Sequence, residues 1–185
     1  MQAPAPRDRL FFALYPDAET AEKMRALAET LRAKYGMRGN AIPADRLHIT
    51  LHHLGDYCGL PESLIATASA VAARIAMPPF EVRLDCAASF PGGAGKRPCV
   101  LRSGAADTNR ELYALQHGLG ESMHAAGLGR QVERRFTPHA TLLYDERGML
   151  PEAVPPIVWT VRSFALVHSL LGRGEHRTLF ARQLV

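Results

Sequence analysis

Leu47-His48-Ile49-Thr50-Leu51 and its near-copy Pro138-His139-Ala140-Thr141-Leu142 decide how this chain is read. Both lie in apolar runs, residues 46–54 and 136–144, that predict β-strands. Alternate side chains of a strand share a face. His48 and Thr50 therefore point one way, and His139 and Thr141 do the same on their own strand. Taken singly, each triplet could be an ordinary strand histidine beside a threonine. If the two strands lie close together, two imidazoles and two hydroxyls converge on one cleft, a plausible place for moving protons around a phosphate.

The surrounding chain supports a paired arrangement. Residues 9–15 predict a strand, and Asp17 is a fair N-cap for a helix over 18–35, where Ala21, Met24, Leu27, Ala28 and Leu31 recur at helical spacing. A loop leads to the first triplet strand. A helix over 61–77, a strand over 80–90, a short strand over 99–102 and a helix over 107–126 follow. After the second triplet strand comes a proline-rich loop to residue 156, then a closing hairpin of 157–171 and 176–184. A strand and a helix precede each triplet strand, so the chain reads as two related halves. Packing about a pseudo-twofold axis would bring His48 and His139 face to face.

At 185 residues, with 47% hydrophobic and 22% charged content, the chain is expected to form one domain with a real core, residues 1–185 together. No apolar run reaches the ~18 residues of a membrane span, and the first residues lack the apolar core of a secretory signal. Cys58, Cys86 and Cys99 are odd in number and show no CxxC spacing, which argues against a disulfide framework and suits a reducing cytoplasm. A formal charge of +4 is compatible with a polyanionic partner such as RNA. The segment from Pro91 to Pro98 is turn-rich but lacks P-loop spacing, since Arg97 stands where Ser or Thr would be. It reads as a loop that can carry phosphate-facing Lys96 and Arg97.

With these pieces in place, the sequence resembles the two-histidine phosphoesterase superfamily, and within it the bacterial RNA 2′,3′-cyclic phosphodiesterases, also called the 2′-5′ RNA ligase-like (LigT-like) family. The resemblance rests on Arg9-Leu-Phe-Phe-Ala-Leu14, Arg46-Leu-His-Ile-Thr-Leu51 with Leu54-Gly55, Phe90-Pro91, Arg97-Pro98, Phe136-Thr-Pro-His-Ala-Thr-Leu142, and the strand with Phe164, Leu166 and Ser169. It implies a bilobal α/β (α+β) fold with antiparallel sheets flanking a central cleft and helices outside. It also implies metal-independent hydrolysis of RNA-terminal 2′,3′-cyclic phosphates, with no cofactor, carried by His48, Thr50, His139 and Thr141. Four positions depart from the family's habit. A basic residue is common at His52, Phe at His53, Arg at Tyr144 and an aromatic at His176.

The chemistry fits these residue types. Opening a cyclic phosphate needs water activated on one side and a leaving ribose oxygen protonated on the other. Histidine can do either near neutrality. The expectation is that His139 is the base and His48 the acid, yielding a 2′-phosphate end; the reverse assignment stays open. Thr50 and Thr141 would donate to the nonbridging oxygens. Further candidate substrate contacts are Phe11, His52, Arg97, Arg135 and Tyr144. Of Phe11 and Phe12, adjacent on one strand, one faces the cleft and the other the core. Convergence of His48, His52 and His139 would offer a zinc site, but no carboxylate or cysteine is placed to support it. The expected partners are RNA ends or nucleoside 2′,3′-cyclic phosphates, bound by a monomer. Competing readings are 2′-5′ ligation of tRNA halves and a nucleotide- or RNA-end-binding module without turnover.

Overall fold

The computed structural model describes residues 5–91, 95–105 and 107–185. Gly92 to Ala94 of the glycine-rich loop lie outside them. The elements run β1 (Asp8–Leu14), α1 (Ala18–Lys34), β2 (Ile49–Tyr57), α2 (Glu62–Ala73), β3 (Phe80–Ser89), β4 (Arg97–Arg102), α3 (Arg110–Ala125), β5 (His139–Asp145), β6 (Glu152–Val161), β7 (Ser163–Leu170) and β8 (Glu175–Gln183).

Two antiparallel sets of four strands, β6-β3-β4-β5 and β2-β1-β7-β8, meet edge to edge. Their junction is a single residue pair, Ile49 with Ala140. The expected pair of sheets thus runs on as one eight-stranded sheet, with the two triplets at the seam. Ile49 and Ala140 are the middle residues of the two His-x-Thr triplets, so pairing them places both histidines and both threonines about the same point.

Local chemistry explains most elements. Asp17 caps α1 by accepting from the Thr20 amide and hydroxyl, both at 2.9 Å. Gly36, at φ +59°, turns the chain off the end of α1. The third helix begins at Arg110 rather than near 107. Asn109 sits in the left-handed region at φ +66°, and its side-chain amide is committed to β3, accepting from Arg83 N (2.7 Å) and donating to Arg83 O (2.9 Å). α2 stops at Ala73, short of the expected 77.

The chain after β5 corrects the expected closing hairpin. Residues 157–171 are not one strand. The first part belongs to β6, which pairs with β3, and the second is β7, which pairs with β1, so the chain crosses from one half of the sheet to the other at Arg162. Pro155 and Pro156 lie inside β6, not in a loop. They fall in a bulge of an outermost strand, where residues 154–156 stand opposite Asp85 alone, so the ladder asks for neither nitrogen to donate.

Alternation in β1 divides two layers. Leu10, Phe12 and Leu14 join Met24, Leu31 and Leu112 in the main core on the helix side. Phe11 and Ala13 form a small apolar cluster on the other face with Ala165 and Val167, against which Tyr15 packs. Trp159 and Phe164 are core residues, and Phe180 packs against that core. The helix-free face carries the cleft.

Candidate active site

Each triplet strand carries an extra residue just past its threonine. In β2, Thr50 and His52 pair with the consecutive residues Ala13 and Phe12, leaving Leu51 extra; Leu54 is a second extra residue further along. In β5, Thr141 and Leu143 pair with consecutive Val100 and Cys99, leaving Leu142 extra. These β-bulges break the alternation that simple strand reading assumes. Leu51 and His52 both turn inward, as do Leu142 and Leu143, so the next residues, His53 and Tyr144, come back out. The outcome is the same in both halves: His, Thr and the residue three beyond Thr share the cleft face.

That face forms a cavity of about 440 Å³ lined by His48, Thr50, His53, His139, Thr141 and Tyr144, with Arg9, Phe11, Arg46, His176 and the β7–β8 turn around them. The two imidazoles are held alike. His48 Nδ1 lies 2.6 Å from Arg46 O, and His139 Nδ1 lies 2.7 Å from Thr137 O, the carbonyl two residues earlier in each case. A carbonyl only accepts, so both Nδ1 atoms carry protons and each Nε2 is left for the cleft. Burial pushes the pKa of both rings below the ordinary histidine value, partly offset by these carbonyl bonds; the charges of His139 and Arg46 lower His48 further.

Aromatic rings set the two histidines apart. Phe11 lies almost parallel to His48, centroids 5.0 Å apart at 24°, with Tyr15 at 5.7 Å. Phe90 and His139 form a T-shaped pair, centroids 4.9 Å apart at 66°. A ring face beneath an imidazole stabilises its cation. Phe12 is in the core, so the two adjacent phenylalanines divide as expected.

Three candidate contacts fall outside the cleft. His52 is wholly buried on the helix side, with Nε2 donating to Gln116 O at 2.9 Å and Nδ1 accepting from Glu133 N at 3.0 Å. The bulge at Leu51 put it there, and the His48–His52–His139 trio is not assembled. Arg97 pairs with Asp145 at the far end of β4 and lines a separate hollow with Phe90 and Met149. Lys96 lies with Arg38 and Arg147 around Asp145. Arg135 is exposed ahead of β5, its amide bonded to the Glu133 carboxylate at 2.7 Å. A further hollow of about 570 Å³ beside α3 is lined in part by His52, His117, His124 and Glu133. Among the described residues, no three His, Cys, Asp or Glu side chains are grouped to hold a metal ion.

Four cleft residues were not singled out as contacts from the sequence: Arg9, Arg46, His53 and His176. Arg9 is tied to Asp56 by two bonds of 2.7 Å, and this pair pulls the Asp56 carboxyl down to about 2. His53 leans on the same carboxylate at 3.1 Å. His176 heads a third His-x-Thr triplet, His176-Arg177-Thr178, a signal that could have drawn attention to it. Its ring stands 5.2 Å from His48, edge to face.

Two halves of an antiparallel sheet, each offering a His-x-Thr triplet to one cleft, define a two-histidine phosphoesterase. Residues 15–173 match the model of the 2′-5′ RNA ligase superfamily, and the chain belongs to that family. It is 32% identical over 171 residues, 91% of each chain, to the RNA 2′,3′-cyclic phosphodiesterase of Escherichia coli (strain K12). It superposes on the crystal structure of E. coli LigT complexed with 3′-AMP with a TM-score of 0.75 at 31% identity, covering 97% of this chain and 99% of that one. The crystal structure of TT0787 from Thermus thermophilus gives a TM-score of 0.74 at 26% identity over 95% and 97% of the two chains.

Proposed function

We propose that this protein hydrolyses RNA-terminal 2′,3′-cyclic phosphates to 2′-phosphates by general acid–base catalysis. The observation that carries the reading is the matched pair of imidazoles, each pinned through Nδ1 to a backbone carbonyl and lining one cavity with Thr50 and Thr141. The E. coli relative named for this activity and the LigT complex with 3′-AMP support it.

In the proposed reaction His139 Nε2 takes a proton from water as the water oxygen bonds to phosphorus. The bond from phosphorus to O3′ breaks, and His48 Nε2–H delivers its proton to that oxygen. Thr50 and Thr141 donate to the nonbridging oxygens, whose charge grows in the transition state. His48 is assigned the acid because its ring lies over the face of Phe11, which favours the protonated form. The enzyme acts as a monomer in the cytoplasm. No helix of the described residues is long and apolar enough to cross a membrane, and the cysteine pattern suits a reducing compartment.

The test is incubation of the pure protein, in EDTA, with an RNA ending in a 2′,3′-cyclic phosphate, followed by identification of the product isomer. The 2′-phosphate is expected. His48→Ala and His139→Ala should each lower kcat by about 10²–10⁴-fold. Near-normal turnover in both variants would end the proposal.

A further inference from the structure

The cleft contains a cation that nothing in the two triplets uses. Arg46 lines the cavity, and its Nε is buried without a hydrogen-bond partner. No carboxylate among the described residues forms an ion pair with it; Asp45, next in the chain, is felt by Tyr15 and His176 but does not bind it. The other cleft arginine differs, since Arg9 is held by both oxygens of Asp56. A guanidinium nitrogen removed from water and left unpaired is costly, and the cost is recovered when an acceptor binds.

The position of this side chain is set by the hairpin tip between β7 and β8. A Cβ built on Gly174 would come within 2.7 Å of Arg46 Nη1, and the glycine also sits at φ +66°, a backbone shape that favours Gly. With a side chain at residue 174 the guanidinium would have to move from its place under the tip. Two residues on, His176 Nδ1 lies 3.0 Å from the Tyr15 hydroxyl. Burial raises the Tyr15 pKa, so that hydroxyl stays protonated at this contact. The bond takes up Nδ1 of His176 and leaves Nε2 free of it, on a ring whose own pKa is pushed down to about 4 chiefly by burial. Arg46 and His176 stand together in the lining of the cavity.

Their place is off the midline between the two catalytic rings. The charge of Arg46 acts on His48, His176 and Tyr15, while His139 responds to burial and to Thr137. A substrate with its cyclic phosphate between the imidazoles leaves this outer side for the rest of the nucleotide. We infer that Arg46 and His176, under the Gly174 turn, form a second phosphate position that takes the 5′-phosphate of the terminal nucleotide and so favours an RNA end over a free nucleoside cyclic phosphate. This rests on the cyclic phosphodiesterase reading and names the substrate feature that reading leaves open.

The test compares a nucleoside 2′,3′-cyclic phosphate with the same compound carrying a 5′-phosphate, reading the ratio of their kcat/KM values. The wild type should favour the 5′-phosphorylated substrate by about 10- to 100-fold, the range of a charged hydrogen-bonded contact, mostly through KM. Arg46→Gln should collapse that ratio toward one, Arg46→Lys should keep part of it, and Gly174→Ala should reduce it with the arginine still present. Calorimetric binding of a nucleoside 3′,5′-bisphosphate against the 3′-monophosphate gives the same comparison without turnover. A wild type that hydrolyses both substrates equally, or an Arg46→Gln enzyme that loses both by the same factor, overturns the second site and leaves the phosphodiesterase reading standing. A wild type that turns over neither defeats that reading; equal binding of the two nucleotides in the calorimeter then decides against Arg46 independently.

Discussion

Replacing His52 by alanine separates the bulged reading of β2 from a regular strand that would put this ring beside His48. In the bulged strand the ring is wholly buried and both its nitrogens are used, by Gln116 O at 2.9 Å and Glu133 N at 3.0 Å. Alanine leaves the Glu133 amide without its acceptor, at about 1–3 kcal/mol, and removes the packing of a fully buried ring, at about 2 kcal/mol or more. The neighbour across the gap cannot fill it, since Gly120 has no side chain and a Cβ there would meet His52 Cε1 at 3.2 Å. The sum is about 4 kcal/mol, which for a domain of this size lowers Tm by about 8–16 °C. Thermal unfolding followed by circular dichroism reads that shift, and kcat/KM measured well below the new midpoint should stay near the wild-type value. His53→Ala should do the opposite, with a small change in Tm and a rise in KM. There is also a pH signature. Burial holds the folded pKa of His52 below its unfolded value, so its stabilising contribution is present above about pH 6.5 and is lost as the pH falls. The alanine variant should therefore lose less stability than the wild type between neutral and acid pH. A Tm shift under about 2 °C, or a tenfold loss of kcat/KM in folded protein, would refute the assignment of His52 to the core.

Three more outcomes follow from the same geometry. Burial sets the pKa of both His48 and His139 below the ordinary value in the free protein, so with these as the proposed acid and base kcat/KM should be bell-shaped with its maximum on the acid side of neutrality, while bound phosphate shifts the kcat profile upward; a kcat/KM maximum above about pH 8 would contradict this. Phe11→Leu removes the ring face under His48 and so makes its proton easier to lose, moving the alkaline limb of kcat to lower pH by up to about one unit, a shift read from initial rates across buffers. Asp145 accepts from the amides of Arg38, Gly39 and Arg147 at 2.6, 2.6 and 2.8 Å, one residue past Tyr144, and those bonds hold its carboxyl below the usual range. Asp145→Ala should cost about 3 kcal/mol or more in urea unfolding and raise KM by loosening the end of β5.

The chain announced the His and Thr pairs that line the cleft because a duplicated His-x-Thr triplet in apolar runs is a local pattern, and strand alternation alone puts each His and Thr on one face. Phe11 and Tyr144 were also within reach, the first by alternation along β1 and the second through its departure from family habit. What stayed hidden was set by partners distant in sequence. A bulge exists only relative to a neighbouring strand, so nothing within residues 46–54 says that His52 turns inward and His53 outward. Pro155 and Pro156 read as a loop because proline lacks an amide N–H, and only the pairing with β3 places them in a bulge of an edge strand. Arg46 and His176 are 130 residues apart, and no local pattern joins them before the β7–β8 turn folds over the cleft.

The repeated bulge shows why the seam can be built from a single pair. A regular strand would turn every second residue after the threonine toward the cleft, which in β2 would bring out His52 and Leu54, and in β5 Leu143 and Asp145. Those four are buried residues, turned away from the cleft. One extra residue just past the threonine in each strand keeps the first His and Thr on the open face while returning the next stretch to the core. The cleft face is therefore only as long as the triplet plus one residue, His53 or Tyr144. With so short a polar face on each side, β2 and β5 pair at Ile49–Ala140 alone, and the Ala41–Leu143 bridge and the Ile42 N to Leu142 O bond of 2.7 Å tie the loop before β2 to the same strand. Beneath the cleft Leu51, Leu54, Leu142 and Leu143 all belong to the main core, which holds the two strands at their separation. Substitutions that shrink those leucines should thus impair turnover through geometry without touching any group that meets the substrate.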